Sequence, residues 1–561
     1  MAPAQALLQQ LREARSVYGE LAEWRKRDLL RALTALRRLT GRQLVAYHED
    51  LLFLVAFPGD ARTRAAATAE LDCFAARWRT LPAAMRGAFA NSGIVGTVTR
   101  PSLAWPVARS FIDEAIELDW KSIEDPEALD RLVVRLVGAT ERDAFDGGDY
   151  STREWIALAK RAGERDFAWL VREGAAARSQ SDIATAWDSA EVALRWTLGN
   201  SHRSTTHARL QVRRPTLRNG FRRLAEPAAA HVARPLGGIR RLKRRAAAEV
   251  VDLARSALAA RAREVHAMNY PNLDEVYWAD LGDGVDLMLI GVPVAQRLTL
   301  EANYGYLMLS NGVPIGYGGV SPLYRQANTG INIFDPYRGS EAAYLWAQAL
   351  RVFRTMFGVR RFVINGYQFG AGNSEAIASG AYWFYYRLGF RPSLPENVTP
   401  AAEEAERLRR EPRVRTRPAL LRRLARGDLH LDLADFSAAD FFEEPLLTRV
   451  GAAVARRIAG RGERSHLEGE RQLISEVQKA LGLRSAARHT SEEQQGFAKL
   501  APCAALLGID DWPAAERRAF AGWLRAKGAT TEREFAEGAT RQVRFFEGLR
   551  AVAREEAARA G

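Results

Sequence analysis

One dipeptide, Asn311-Gly312, constrains the fold of this chain more than any other. A two-residue hairpin turn needs positive φ at both central positions, and Asn-Gly tolerates that best. Apolar runs of strand length flank it, Tyr304 to Leu309 and Ile315 to Val320, so the spacing predicts an antiparallel hairpin. A polar step at Thr329-Gly330 leads into Ile331-Asn332-Ile333-Phe334, a further short strand. Asp335-Pro336-Tyr337-Arg338-Gly339-Ser340 breaks that run and opens a helix. In that helix Ala342, Leu345, Trp346, Ala349, Leu350, Phe353, Met356 and Phe357 recur at helical spacing, so one face is buried. Gly358 ends it, and Arg361 to Ile364 supplies the next strand. The whole is an αβ unit with a strand-loop-helix junction of the kind that holds phosphate.

Downstream, an aromatic helix around Tyr382-Trp383-Phe384-Tyr385-Tyr386 closes on Arg387-Leu388-Gly389-Phe390. The order of elements and this ending resemble the GNAT superfamily of acyl-CoA N-acyltransferases. That family's signature covers its fourth strand, the pyrophosphate loop and helix, the fifth strand, and a helix ending in Tyr-x-x-x-Gly-Phe. Tyr385 with Gly389-Phe390 keeps that spacing, and Asn311 to Tyr317 looks like the hairpin between the family's second and third strands. The resemblance implies an acyl-CoA co-substrate, no metal, and an amine acceptor whose identity the sequence leaves open.

The family's loop reads Gln/Arg-x-x-Gly-x-Gly/Ala, often as Arg-Gly-x-Gly-x-Gly/Ala, and its free backbone N–H groups hold the CoA pyrophosphate. Arg338 and Gly339 match that pattern and Ala343 fits its last position, with Ser340 and Ala342 between them. Glu341 stands where the middle glycine belongs. A carboxylate in a first helical turn is itself favourable by about 0.3–1 kcal/mol, yet it repels a phosphate at the same positive end. Either Glu341 points away and CoA binds, or the carboxylate has replaced the anion.

Acyl transfer to an amine needs a base, donors for the oxyanion, and an acid for the thiolate. The resemblance makes Tyr385 the acid; the alternative is a ring packed in an aromatic helix. Asp335 and Glu375 fall near the carboxyl ends of strands, where open αβ sheets place ligands, and are candidate bases. Both also suit turn or cap positions. Between the last strand and the aromatic helix, Tyr367-Gln368-Phe369-Gly370-Ala371-Gly372-Asn373-Ser374-Glu375-Ala376 offers backbone amides to a ligand or, equally, a turn capped by Asn373.

At 561 residues the chain exceeds one such unit, and its 47% hydrophobic and 26% charged residues describe an ordinary globular protein. The expected class is an α+β multidomain protein: a GNAT-like mixed αβ core flanked by large all-helical amino- and carboxyl-terminal regions. The boundaries read 1–148 helical, 149–268 helical and Arg-rich, 269–435 GNAT-like with a helical insertion near 400–426, and 436–561 helical. Leu429 to Leu433 alternates like a final strand reached after that insertion. Ser151-x-x-Glu154, Thr490-x-x-Glu493 and Thr531-x-x-Glu534 read as capping boxes, and Gly147-Gly148 as a subdomain boundary. The longest apolar run, Leu51 to Phe57, is too short to span a bilayer, so a cytoplasmic protein is expected.

Cys73 and Cys503 lack ligand-spaced neighbours, and Tyr47-His48-Glu49-Asp50 lacks a second histidine, so no metal site is read. Asn91 to Thr99 reads as a loop or short strand, a connector with the alternative of lining a site, and Ser201 to His207 as a solvated linker with the alternative of a binding loop. The 81 Lys and Arg against 67 acidic residues give a net charge of +14, concentrated at 209–223, 234–245 and 407–426. Such clusters suit tRNA or another nucleic acid. The second functional reading is therefore a catalytically silent GNAT-like scaffold that binds a protein or nucleic-acid partner.

Overall fold

The computed structural model describes residues 3–36, 38–145, 148–339, 341–437, 441–442, 444–463, 465–483 and 490–560. Ser340 and Gly147 lie outside the described residues. The fold is α+β, with a mixed sheet at its centre and helices around it.

Among the described residues, twelve strands form two sheets. A small one, in the order β1-β3-β2, contains β1 (Val98–Thr99), β2 (Ile116–Leu118) and β3 (Leu194–Thr197). The large one has nine strands: β4 (Ile239–Arg241), β5 (Val276–Gly282), β6 (Val285–Gly291), β7 (Tyr304–Ser310), β8 (Val313–Leu323), β9 (Gln326–Ile333), β10 (Arg361–Ile364), β11 (Arg391–Pro392) and β12 (Leu429–Asp432). Its order is β11-β12-β10-β9-β8-β7-β6-β5-β4, antiparallel throughout except for β9 and β10. The amino-terminal region is thus not all-helical. It holds the small sheet, and its Arg-rich stretch contributes β4 to the edge of the large one.

The Asn-Gly hairpin forms as read. Asn311 and Gly312 take φ of 47° and 80°, and β7 pairs with β8 around them. The turn is buried, however. Leu210 donates its N–H to the Gly312 carbonyl at 2.9 Å, and Asn311 Nδ2 donates to the Ala56 carbonyl at 2.9 Å. A Cβ at Gly312 would sit 2.3 Å from the Leu210 carbonyl oxygen, so close approach as well as φ requires glycine there.

β9 is longer than the sequence suggests, because pairing with β8 carries it back to Gln326 and sets Gly330 opposite Gly319. A crossover helix, Ala342–Phe357, returns the chain to β10 and ends on Gly358 at φ 68°. Its rings pack beneath the sheet, with Trp346 and Phe353 against Tyr306 and Phe357 against Tyr304. Helices Pro395–Arg410 and Pro418–Leu424 form the insertion, after which β12 joins β10.

Among the described residues, three hydrophobic clusters organise the rest. The largest joins helix Gly41–Ala56, buried from Leu51 to Ala56, to the large sheet. That burial explains the apolar run at Leu51 to Phe57. A second spans 103–198 around Trp105, Trp187 and Trp196, and straddles the boundary drawn at 148. The third gathers the carboxyl-terminal helices around Phe520, Trp523, Phe545 and Phe546, with Leu300, Leu323 and Tyr324 from beside and within the sheet. The capping boxes at Ser151 and Thr490 form. The one at Thr531 does not: Glu532 precedes helix Arg533–Ala539 and its carboxylate is instead buried on Lys527. No helix among the described residues is long and apolar enough to cross a membrane.

Candidate functional site

The parallel ladder between β9 and β10 covers only Gln326 to Asn328 on the β9 side, although β9 runs on to Ile333. Beyond that point the two strands part. A cleft of 2240 Å³ opens there, lined by Thr329 to Pro336, Asn365, Gln368, Tyr385 and the start of the crossover helix. It reaches the amino-terminal region through His48, Asn91, Ser92, Thr205 and Arg261.

Tyr385 is buried at the parting. Its hydroxyl lies near the Ile331 backbone N–H. Burial pushes the hydroxyl up to about 12, with the nearby Ile331 N–H pulling the other way, so it holds its proton at neutral pH. The ring also packs against Phe369, Phe384 and Phe390, which is what the structural alternative expects. Below it, Tyr306 donates to the Gly330 carbonyl at 2.5 Å. A Cβ at Gly318 would sit 2.2 Å from that same carbonyl oxygen, so β8 must carry glycine there.

Asp335 and Glu375 meet at the cleft mouth through Arg338. Arg338 bonds Asp335 at 2.8 Å and Glu375 at 3.5 Å, while Arg263 bonds Glu375 at 3.3 Å. All four side chains are largely exposed. Gly339, at φ 80°, meets nothing where a Cβ would stand, so the loop is open on that side. Ala342 and Ala343 begin a helix that carries no side-chain cap and lines the cleft. Asn373 caps helix Ser374–Ser379 by accepting the Ala376 N–H at 3.0 Å, which is the turn-and-cap alternative.

Glu341 does something the sequence did not disclose. It is buried on a strap formed by residues 208–223, in an ion pair with Arg218 and accepting the Arg222 N–H at 2.8 Å. Arg218 is itself buried over the Phe57 ring and donates its N–H to the Pro58 carbonyl at 2.7 Å. The carboxylate therefore points to the strap.

Two readings of the amino-terminal half change. Ser204, Thr205 and Thr206 are buried, not solvated, and Thr206 Oγ1 bonds His48 Nε2 at 2.9 Å and accepts the Val95 N–H at 3.1 Å. Burial lowers His48 to about 3, which keeps the imidazole neutral. Asn91 to Ile94 is cleft wall as well as connector. The sequence also passed over Arg261 and Arg263. Their one signal was their place at the end of an Ala-rich helix, where basic residues are common for helix-dipole reasons.

The basic clusters are in good part satisfied internally. Arg209 pairs with Asp72, Arg222 with Asp283, Arg234 with Glu226 and Arg244 with Asp274. Arg240 stacks 3.7 Å from the Trp278 ring, and Arg407, Arg409 and Arg410 pair with Glu404 and Glu406. Among the described residues no group of His, Cys, Asp and Glu would hold a metal. No protein-family model matches the chain, and no curated protein or solved structure matches it.

Proposed function

We propose that the chain is a GNAT-like N-acyltransferase that moves an acyl group from a CoA thioester to an amine. The observation that carries this reading is the parting of β9 from β10 with buried Tyr385 lining the cleft beside Ile331. An unpaired strand edge presents backbone groups to an extended, amide-bearing chain, as the pantetheine arm of CoA is. The uncapped helix start at Ala342 and Ala343 then faces the pyrophosphate, with Arg338 as its side-chain cation and Gly339 leaving room.

In this reading the acceptor amine, its proton released to Glu375 or Asp335 directly or through water, attacks the thioester carbonyl. A C–N bond forms, the carbonyl becomes an oxyanion, and its collapse breaks the C–S bond. The departing thiolate takes the Tyr385 proton. The raised Tyr385 value keeps the phenol protonated until the thiolate appears, while making it a weaker acid than a free phenol.

The test is calorimetric titration with acetyl-CoA and a longer acyl-CoA, followed by thiol release in the presence of amines. Saturable micromolar binding that is lost in Arg338→Ala is expected. Tyr385→Phe should keep acyl-CoA affinity while lowering turnover about 10²-fold or more. Failure of both acyl-CoA compounds to bind overturns the reading.

A second reading, the silent scaffold, draws on one specific observation. Arg338 is already engaged by Asp335 and Glu375, which would compete with a phosphate for its guanidinium. The same titration separates the two.

A further inference from the structure

We infer that the cleft contains an anion-reading subsite built on Arg261, which selects an amine acceptor bearing an anionic oxygen group, carboxylate or phosphate, at the end remote from its amine. The inference rests on the acyl-transfer reading and adds the class of acceptor to it.

Arg261 stands just past helix Arg244–Ala259, where Ala262 at φ 51° turns the chain. One guanidinium N–H donates to the Ala257 carbonyl at 2.8 Å, and the group stacks 4.0 Å from the centre of the Phe334 ring. No carboxylate pairs with it among the described residues. Its neighbours differ: Arg263 is held by Glu375, and Arg338 by Glu375 and Asp335. Arg261 thus brings spare, planar, bidentate donors to a cleft wall, the geometry that carboxylates and phosphates match. Burial lowers it to about 10, which leaves it a cation at neutral pH.

The wall around it is polar, and of the carboxylates that line the cleft, Glu49, Glu264, Asp335 and Glu375, none forms an ion pair with Arg261 among the described residues. Thr205 is buried with its Oγ1 lacking a hydrogen-bond partner among the described residues. Ser92 and Asn91 line the same wall, and the nearby His48 is neutral. Tyr317, Tyr337 and Asp335 are the groups that face the guanidinium electrostatically, and Asp335 is already bonded to Arg338. An arriving anion would complete this set.

The position also sets a length. Phe334, under Arg261, follows Ile331 by three residues of extended chain, roughly 10 Å. Tyr385, where acyl transfer is proposed, lies beside Ile331. An acceptor that bridges the two must separate amine from anion by several bonds.

The experiment compares 6-aminohexanoate, 6-aminohexyl phosphate and hexylamine on the full chain. Binding is read by calorimetry without an acyl donor, and acyl transfer by thiol release with acetyl-CoA. One or both anionic probes should bind at least tenfold more tightly than hexylamine, and which of them wins identifies the anion. The preference should vanish in Arg261→Met and survive in part in Arg261→Lys. Equal binding of all three probes, binding of none, or a preference untouched by Arg261→Met overturns the inference. The probe comparison needs no variant, so a variant that fails to fold leaves the test intact. Loss of thiol release alone, with the binding preference present, would defeat the acyltransferase reading and spare the subsite.

Discussion

Two buried carboxylates fasten flanking segments to the central αβ unit, and they do so at opposite kinds of place. Glu275 accepts the Tyr304 hydroxyl at 2.7 Å and the backbone N–H groups of Glu532 and Arg533 at 2.6 and 3.1 Å. Arg297 lies 3.5 Å away, and its guanidinium donates to the Lys527 and Ala529 carbonyls. Lys527 in turn is buried 2.5 Å from Glu532. This ties the carboxyl-terminal helices to the sheet. Glu341, on Arg218 and the Arg222 N–H, ties the amino-terminal strap to the crossover helix. The device is the same: a carboxylate removed from water, with a cation and backbone donors replacing its hydration. The setting is not. None of the described residues that line the cleft belongs to the Glu275 group, whereas Glu341 immediately precedes the helix start that lines it. One clamp is structural alone; the other couples structure to the proposed donor site.

The strongest way to break that contrast is Glu275→Ala. It leaves Arg297 buried without its carboxylate and orphans two N–H groups and a hydroxyl. The expected loss is about 3–5 kcal/mol in chemical denaturation, the range for removing one partner of a buried pair. Acyl-CoA affinity of the folded fraction should not move. A shift in that affinity would show that the two clamps are not separable.

Glu341→Gln is the matching test with a smaller structural effect. The amide oxygen still accepts the Arg222 N–H, so the loss is that of a charge-assisted bond to Arg218, about 1.5–3 kcal/mol. Here ligand affinity should move. Removing a negative charge beside the helix start favours an anion there by about 0.3–1 kcal/mol, a two- to fivefold tightening of acyl-CoA binding. Unchanged or weaker binding would mean that Glu341 does not bear on the donor site, and the contrast between the clamps would collapse.

What could be read in advance follows from the range of each interaction. The hairpin, the crossover helix with its Gly358 stop, β10, and β12 after its insertion were legible because periodicity and turn chemistry are local. Asp335 and Glu375 were legible as cleft residues through their positions near strand ends, and Arg338 and Tyr385 through the family resemblance. The role of Glu341 was not, because its partner Arg218 lies 123 residues earlier and nothing in either neighbourhood names the other. Arg218 looked like one member of a nucleic-acid-binding cluster; packing over Phe57 made it a core residue. The Thr531 box failed for a related reason: the burial of Glu532 on Lys527 outweighs a local cap. Long-range pairing of charges is set by tertiary packing, which no local pattern encodes.

The mildest test changes only pH. Burial raises the Glu275 carboxyl from 4.5 to about 7, against the pull of the Tyr304 hydroxyl and Arg297. Below about 4.5 the folded and unfolded chains both hold this proton. Between there and about 7 the folded chain keeps it while the unfolded chain has released it, so rising pH drains stability at this site. Above about 7 both have lost it and the contribution is level. The slope cannot exceed about 1.4 kcal/mol per pH unit for one proton. Other groups titrate too, so the quantity to follow is the difference between the parent protein and Glu275→Gln, whose amide cannot titrate. Denaturation midpoints at pH 5.5 and 6.5 should show the parent losing ground to the variant as pH rises. A difference that stays constant, or that grows in the parent's favour, would mean that Glu275 is charged throughout. Its clamp would then act through its ion pair in the same way as that of Glu341.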